Sequence, residues 1–412
     1  MFLVDFPEFR PHVEAIQAGL IPFPAFSGDI PSKLIVKASK ETILTAVSHG
    51  EFFIYRVPFR VNGEHSFSLI SAFRDDAENP LTIFTPIMGE TDFIKNLRAV
   101  LLSDCMELHF FDEHTRERVA YVIDDIDKNH AEQILRPAAV YPGAEDMRSA
   151  HAAVVEWFGR RSKEDDTNAL RIPLNKKLYR DNFVIVDVGD AYTNRFYKPV
   201  ASGLVRAEAG PTSEEDIAHC FSRTFKNGRV FVGPTRLDNG RELADIVVVD
   251  DDNIIIIQAK DSPNTEAMLA RTIERKAKAA RNLAESGFSQ LRGAIRHVQE
   301  VGLSVKTAFC TESLPPNART IYGIVVIKEK FPQDYKWYVE KSYEITKEKG
   351  VMTVLLSYRQ LHEITHHVEK GDDFIRVITQ MYFQARYYDQ FPEINFINRP
   401  MIAHYTLRGE DE

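Results

Sequence analysis

"RELADIVVVDDDNIIIIQAKD" (residues 241–261) holds two apolar runs separated by four turn-forming residues, and it leaves its second run abruptly through Gln258, Ala259 and Lys260. Asp and Asn tolerate the backbone of a tight turn, so Asp250–Asn253 is expected to close an antiparallel hairpin. Val249 then lies opposite Ile254, and counting outward sets Asp245 opposite Gln258. Side chains alternate faces along a strand, and directly opposed residues share a face. Asp245, Gln258 and Lys260 are therefore expected on one face at one end of the hairpin, a grouping that a one-residue slip would abolish. A carboxylate, an amide and an ammonium at the end of a buried strand are costly unless paired. An ion pair where the strands meet water is the ordinary explanation, and a reaction centre is the other.

Working outward, "PTSEEDIAHCFSRTF" (211–225) carries a helix-start signal at Ser213 and an apolar face of Ile217, Cys220 and Phe221. A long helical stretch is expected from about Glu266 to Glu300, interrupted near Gly287. Its Leu269, Ile273, Ala277, Ala280 and Ala284 fall on one face, and Arg271, Arg275, Lys278 and Asn282 on the other. Then come a strand at 320–328, a helix in "DYKWYVEKSYEI", a strand at 351–357 and helices over 358–388. Strands interleaved with helices predict an α/β layer fold, and the hairpin makes its sheet mixed. The first 160 residues read as an α+β domain for binding or assembly, with strands at 51–61, 65–73 and 106–113 and helices at 90–103 and 144–158. "GRRSKEDDTN" (159–168) reads as the linker to a second domain over 169–412.

An acid on a helix, an Asp opening a strand and a Q-x-K ending the next strand resemble the PD-(D/E)XK, or restriction-endonuclease-like, nuclease superfamily. Gln258 in place of the commoner Glu resembles the Mrr-type branch. The resemblance covers about residues 200–390 and rests on "ELADIVVV", "IIIIQAKDSP" and the helix with "SQLRGA". It implies a mixed sheet flanked by helices and Mg²⁺- or Mn²⁺-dependent phosphodiester hydrolysis. Asp245, Glu214 and Gln258 would be the metal ligands. Lys260 would orient or deprotonate the attacking water, or stabilise charge in the transition state. Glu215 rivals Glu214, and both also suit a helix start. Gln290 is a secondary candidate, as the superfamily often places a Gln on this helix. Gln258 is uncharged, which leaves the metal count open. Glu242 faces away by strand parity and is expected to pair structurally, with Arg241 for example. Arg271, Arg275 and Lys278 are the expected phosphate contacts. The resemblance further implies double-stranded DNA as substrate, defence against foreign DNA, and a homodimer if both strands are cut. The competing class is a non-catalytic nucleic-acid-binding or assembly protein that keeps the same fold.

A rival motif is "LHEITHHVE" (361–369), which contains His362, Glu363 and His366 in the H-E-x-x-H spacing of zinc proteases. A third ligand is not evident, and Leu361, Ile364 and Val368 form a core stripe on the same helix.

The chain has 412 residues and a net charge of −9, so any nucleic-acid contact must be a local basic patch. Three scattered cysteines, Cys105, Cys220 and Cys310, make no disulfide framework and suit a reducing compartment. Acids near the start and the lack of a long apolar run predict a cytoplasmic protein without a membrane partner.

Overall fold

The computed structural model describes residues 2–25, 30–74, 80–85, 87, 92–143, 146–179, 184–185, 200–201, 204–205, 210–225, 229–307 and 311–392. The chain forms two compact units. Unit 1 comprises Met1–Val188, Lys198–Arg206 and Asn264–Ala270, and unit 2 comprises Gly189–Tyr197, Ala207–Pro263 and Arg271–Glu412. Both mix helices with strands. Among the described residues, no helix is long and apolar enough to cross a membrane.

Unit 1 contains a five-stranded sheet, ordered Gly19–Phe23, Ser32–Lys37, Met106–Phe111, Glu117–Ile123, Lys176–Lys177, and a four-stranded sheet, ordered Leu81–Thr85, Glu64–Phe73, Glu51–Val61, Leu170–Pro173. The expected linker at 159–168 is instead structured. Lys163–Thr167 is a short helix closed by a Ser162/Asp165 capping box. The strand after it, Leu170–Pro173, pairs with Glu51–Ile54 inside unit 1. A polar stretch can read as a linker when its side chains are spent on local caps.

Unit 2 carries the hairpin. In chain order its main elements are α1 (Gly210–Thr224), β1 (Arg229–Val232), β2 (Ile246–Val249), β3 (Asn253–Lys260), α2 (Ile273–Val301), β4 (Thr320–Ile327), α3 (Tyr335–Lys349), β5 (Met352–Ser357), α4 (Tyr358–His367) and α5 (Gly371–Tyr388). The sheet order is β1-β2-β3-β4-β5. The β1/β2 and β2/β3 pairs are antiparallel and the β3/β4 and β4/β5 pairs parallel, so the sheet is mixed. Val249 pairs with Ile254 and Ile246 with Ile257, the register expected from the turn residues. Asp250 closes the turn, its Oδ1 accepting from the backbone of Asp252 at 3.1 Å and Asn253 at 2.7 Å.

β3 lies at the centre of this sheet with helices packed on it, which explains why its sequence does not alternate. Ile254–Ile257 are all buried, as are Val247–Val249, Ile324–Ile327 and Val354–Leu356. Full burial of each aliphatic side chain contributes about 1.5–3 kcal/mol, and a strand covered on both faces reads as a continuous apolar run.

Two helix expectations change. α1 begins at Gly210, so Ser213 is buried inside the helix rather than capping it. The long stretch breaks at 270–272, not at Gly287: Glu266–Leu269 is a separate turn capped by Thr265, and α2 runs unbroken for 29 residues. A Cβ on Gly287 would stand 2.8 Å from Cγ1 of Val325 and 3.2 Å from Cγ of Lys260. The glycine marks close approach rather than a break.

Candidate active site

The ladder between β2 and β3 ends at the Ile246/Ile257 pair. Beyond it Asp245 meets β3 through its side chain rather than its backbone. Its Oδ2 accepts from the Ala259 N–H at 2.7 Å and from Lys260 Nζ at 2.9 Å, while its own carbonyl accepts from the Gly233 N–H at 2.8 Å. Asp245 is thus held from two sides, and Lys260 is drawn back along its own strand end. Both side chains are mostly buried, at 15% and 16% exposure. With its amide nitrogen turned to Asp245, Gln258 donates to Oδ2 at 3.1 Å, to Oδ1 at 3.3 Å and to Oε1 of Gln290 at 3.0 Å. The opposite orientation sets the amide oxygen against three acceptors. Asp245, Gln258, Lys260 and Gln290 therefore form one connected polar group at the end of β3.

Glu214 stands on the second turn of α1, beyond the first turn where a helix-start acid is favoured. Its carboxyl is pushed up to about 7, first by burial, then by repulsion from Asp245 and Glu242, with Lys260 pulling the other way. Glu215 adds to that repulsion. Glu242 is also raised, by partial burial and by Asp245. It lies within electrostatic reach of the site, and the parity argument does not apply to it. The reason is local: β2 starts at Ile246, and Glu242 sits in an isolated bridge with Thr235, so strand alternation does not extend through 242–245.

Among the described residues, no three His, Cys, Asp or Glu side chains converge as a metal-binding group. The donors at β3 suit a hard cation that keeps much of its water and takes only one or two carboxylates, as Mg²⁺ does. Both protein donors to Asp245 other than Gln258 lie on Oδ2, leaving Oδ1 to a cation. Turning the Gln258 amide would then present its oxygen. The mutual repulsion that raises Glu214 is what an added positive charge relieves.

Arg275 and Lys278 are exposed on α2, and Arg271 is exposed in the connection before it. The apolar stripe expected opposite them is shorter than the sequence reads: Ile273 is exposed, and burial begins at Ala277.

The histidine motif lies on α4. The His362 and His366 rings stack 6.0 Å apart. His362 Nε2 accepts from Arg223 at 3.1 Å, so the lone pair that a zinc ion would need is engaged by a guanidinium. Glu363 is buried and accepts from Arg359 at 3.3 Å.

Unit 1 holds a buried polar cluster that sequence reasoning missed. His109 lies between Glu117 Oε1, 2.8 Å from Nδ1, and Glu107 Oε2, 3.2 Å from Nε2. Lys33 pairs with Glu107, and Glu117 also accepts from the Phe2 N–H at 2.8 Å. A neutral imidazole has one N–H, so donating to both carboxylates requires the imidazolium. Burial alone would lower His109, but its two carboxylate partners carry it above its ordinary value. The signal in the sequence was the alternation Glu107-x-His109 within an otherwise apolar strand. Cys105 is exposed and Cys220 is buried, and Cys310 lies outside the described residues.

No protein-family model matches the chain, and no characterised protein or solved structure matches it either.

Proposed function

We propose that unit 2 is a metal-dependent nuclease of the restriction-endonuclease-like class, hydrolysing phosphodiester bonds in duplex DNA. The observation that carries this reading is the Asp245–Lys260 contact at the end of a buried central strand, joined there by Gln258 and Gln290, and it is supported by Glu214, raised first by burial and then by Asp245. A purely structural ion pair needs no third, mutually repelling acid beside it. Mg²⁺ or Mn²⁺ held by Asp245, Gln258 and Glu214 would supply Lewis acidity and a more acidic bound water. Asp245, fixed by Ala259 and Gly233, anchors the site. Lys260 places a positive charge beside the attacking water and the phosphoryl oxygens, where it orients the one and stabilises charge developing on the other. Gln290 orients Gln258, and Glu215 and Glu242 set the local negative field. Arg271, Arg275 and Lys278 would hold the phosphate backbone without reading sequence. Cutting both strands calls for two such centres, which a homodimer would supply. A role in prokaryotic defence follows from the resemblance alone.

The test is cleavage of plasmid DNA with Mg²⁺ against EDTA, comparing the wild type with Asp245→Ala and Lys260→Ala. Loss of about 10²–10⁴ in rate is expected for each, the range for removing a positioned acid–base or electrostatic group. Metal-dependent cutting that survives both substitutions refutes the site. Binding of DNA without any cutting favours the non-catalytic reading, and cutting of RNA alone moves the substrate class.

A further inference from the structure

We propose that Gly287 is a positioning residue for Lys260, and that α2 is the element that sets where the lysine ammonium lies. The inference rests on the reading of Lys260 as the reactive lysine. A glycine in the middle of a 29-residue helix is a poor choice for helix stability, so its place requires a reason in packing. That reason is visible on the face of the sheet that carries the polar group. Val325 on β4 pairs with Gln258 on β3, and Ile327 pairs with Lys260, so Val325, Gln258 and Lys260 share a face. α2 lies against it. Gly287 comes so close that any Cβ would press on Val325 and on the Lys260 stem, at 2.8 and 3.2 Å. One turn further on, Gln290 meets the Gln258 amide at 3.0 Å. The same helix therefore touches both polar residues that end β3, one through an absent side chain and one through an amide.

The contact at Lys260 falls on Cγ, close to the root of the side chain. A stem deflected there carries Nζ further, because the displacement is amplified over the bonds beyond it. Nζ makes a 2.9 Å bond to Asp245, so a small shift at Cγ is enough to lengthen it. Misplacement of a reacting group by about 1 Å can cost on the order of 10²-fold in rate.

Gly287→Ala alone could simply push the helix off Val325. The informative protein is Gly287→Ala/Val325→Ala, which clears the nearer clash and leaves the one against Lys260, with Val325→Ala as its control. Two readouts are taken on the full chain. The first is the Lys260 ε-methylene NMR signal, identified by its disappearance in Lys260→Arg. The second is steady-state cleavage of duplex DNA with Mg²⁺. Relative to Val325→Ala, the double variant is expected to move the Lys260 signal and to lower kcat about tenfold with KM unchanged. An unmoved signal overturns the proposal, and so does a moved signal with unchanged kcat. If the wild type itself cuts nothing with metal, the nuclease reading fails separately, and a still-displaced signal retains Gly287 as the determinant of lysine position.

Discussion

Glu214→Gln should make the metal-free protein more stable at alkaline pH while removing its response to metal. In the folded protein Glu214 titrates at about 7 rather than 4.5, because it is partly buried and is repelled by Asp245 and Glu242. The folded state thus binds this proton more tightly than the unfolded state. Below about pH 4.5 both states are protonated and the group contributes no penalty. Between 4.5 and 7 the unfolded chain ionises first and stability falls, and above 7 the whole penalty is present. A move of that size corresponds to about 3.4 kcal/mol, and screening at a half-buried carboxylate reduces it to about 1–2 kcal/mol. For a domain of this size about 1 kcal/mol shifts Tm by roughly 2–4 °C, so the variant should melt about 2–8 °C higher than the wild type at pH 8.5 in EDTA. At pH 4 the two should coincide. Adding Mg²⁺ at pH 8.5 should raise the wild-type Tm and leave Glu214→Gln nearly unmoved, because a ligand stabilises only the state that binds it. Thermal melts over this pH range, with and without Mg²⁺, measure all of these quantities. Equal Tm values for the two proteins at pH 8.5 would refute the assignment of Glu214 to the repelling carboxylate group.

Three further outcomes follow from the same geometry. His109→Gln should destabilise unit 1 at pH 6, and the gap from wild type should close as pH rises: a histidine raised in the folded state stabilises fully below its ordinary value near 6.5 and loses that contribution through its folded value. Urea melts at pH 6 and pH 9.5 check this, and a gap that widens with pH contradicts the imidazolium. Arg275→Glu/Lys278→Glu should weaken DNA binding across sequences and flatten its salt dependence, since each lost phosphate contact lowers the log–log slope by about 0.9. Fluorescence anisotropy at several salt concentrations reads that slope, and an unchanged slope removes these residues from the interface. His362→Ala should leave metal-dependent cutting intact and yield no peptide hydrolysis in either form. A zinc-dependent peptidase activity lost in this variant would restore the rival motif.

What the sequence made legible was local, and what it concealed was either long-range or irregular. The hairpin was readable because "DDDN" is specific turn chemistry that sets the register, which four interchangeable isoleucines would not do alone; Asp245, Gln258 and Lys260 followed from counting. Counting does not extend three residues earlier. Parity needs a regular strand, and at Glu242 the chain has already left the ladder, so alternation does not set its face, while its charge lies in the electrostatic reach of the site. The segment 159–168 failed for the opposite reason. Its polar residues satisfy each other in a one-turn helix, and the pairing that binds the next strand to unit 1 reaches back more than a hundred residues.

Gly287 shows most clearly how a local rule can give the wrong cause. Read alone, glycine inside a helix lowers helix stability, and a break is the natural inference. Val325 and Lys260, which require the glycine, lie 38 positions later and 27 positions earlier in the chain, so nothing adjacent to it reports the constraint. The actual interruption at 270–272 carries Thr272 as the N-cap of α2, a signal that was present but weaker than a glycine. The polar exit of β3 and the glycine of α2 are therefore one feature read from two places. A strand that ends in a charged residue beneath a helix needs a gap in that helix, and a methyl group placed in the gap is the smallest change that tests whether the lysine depends on it.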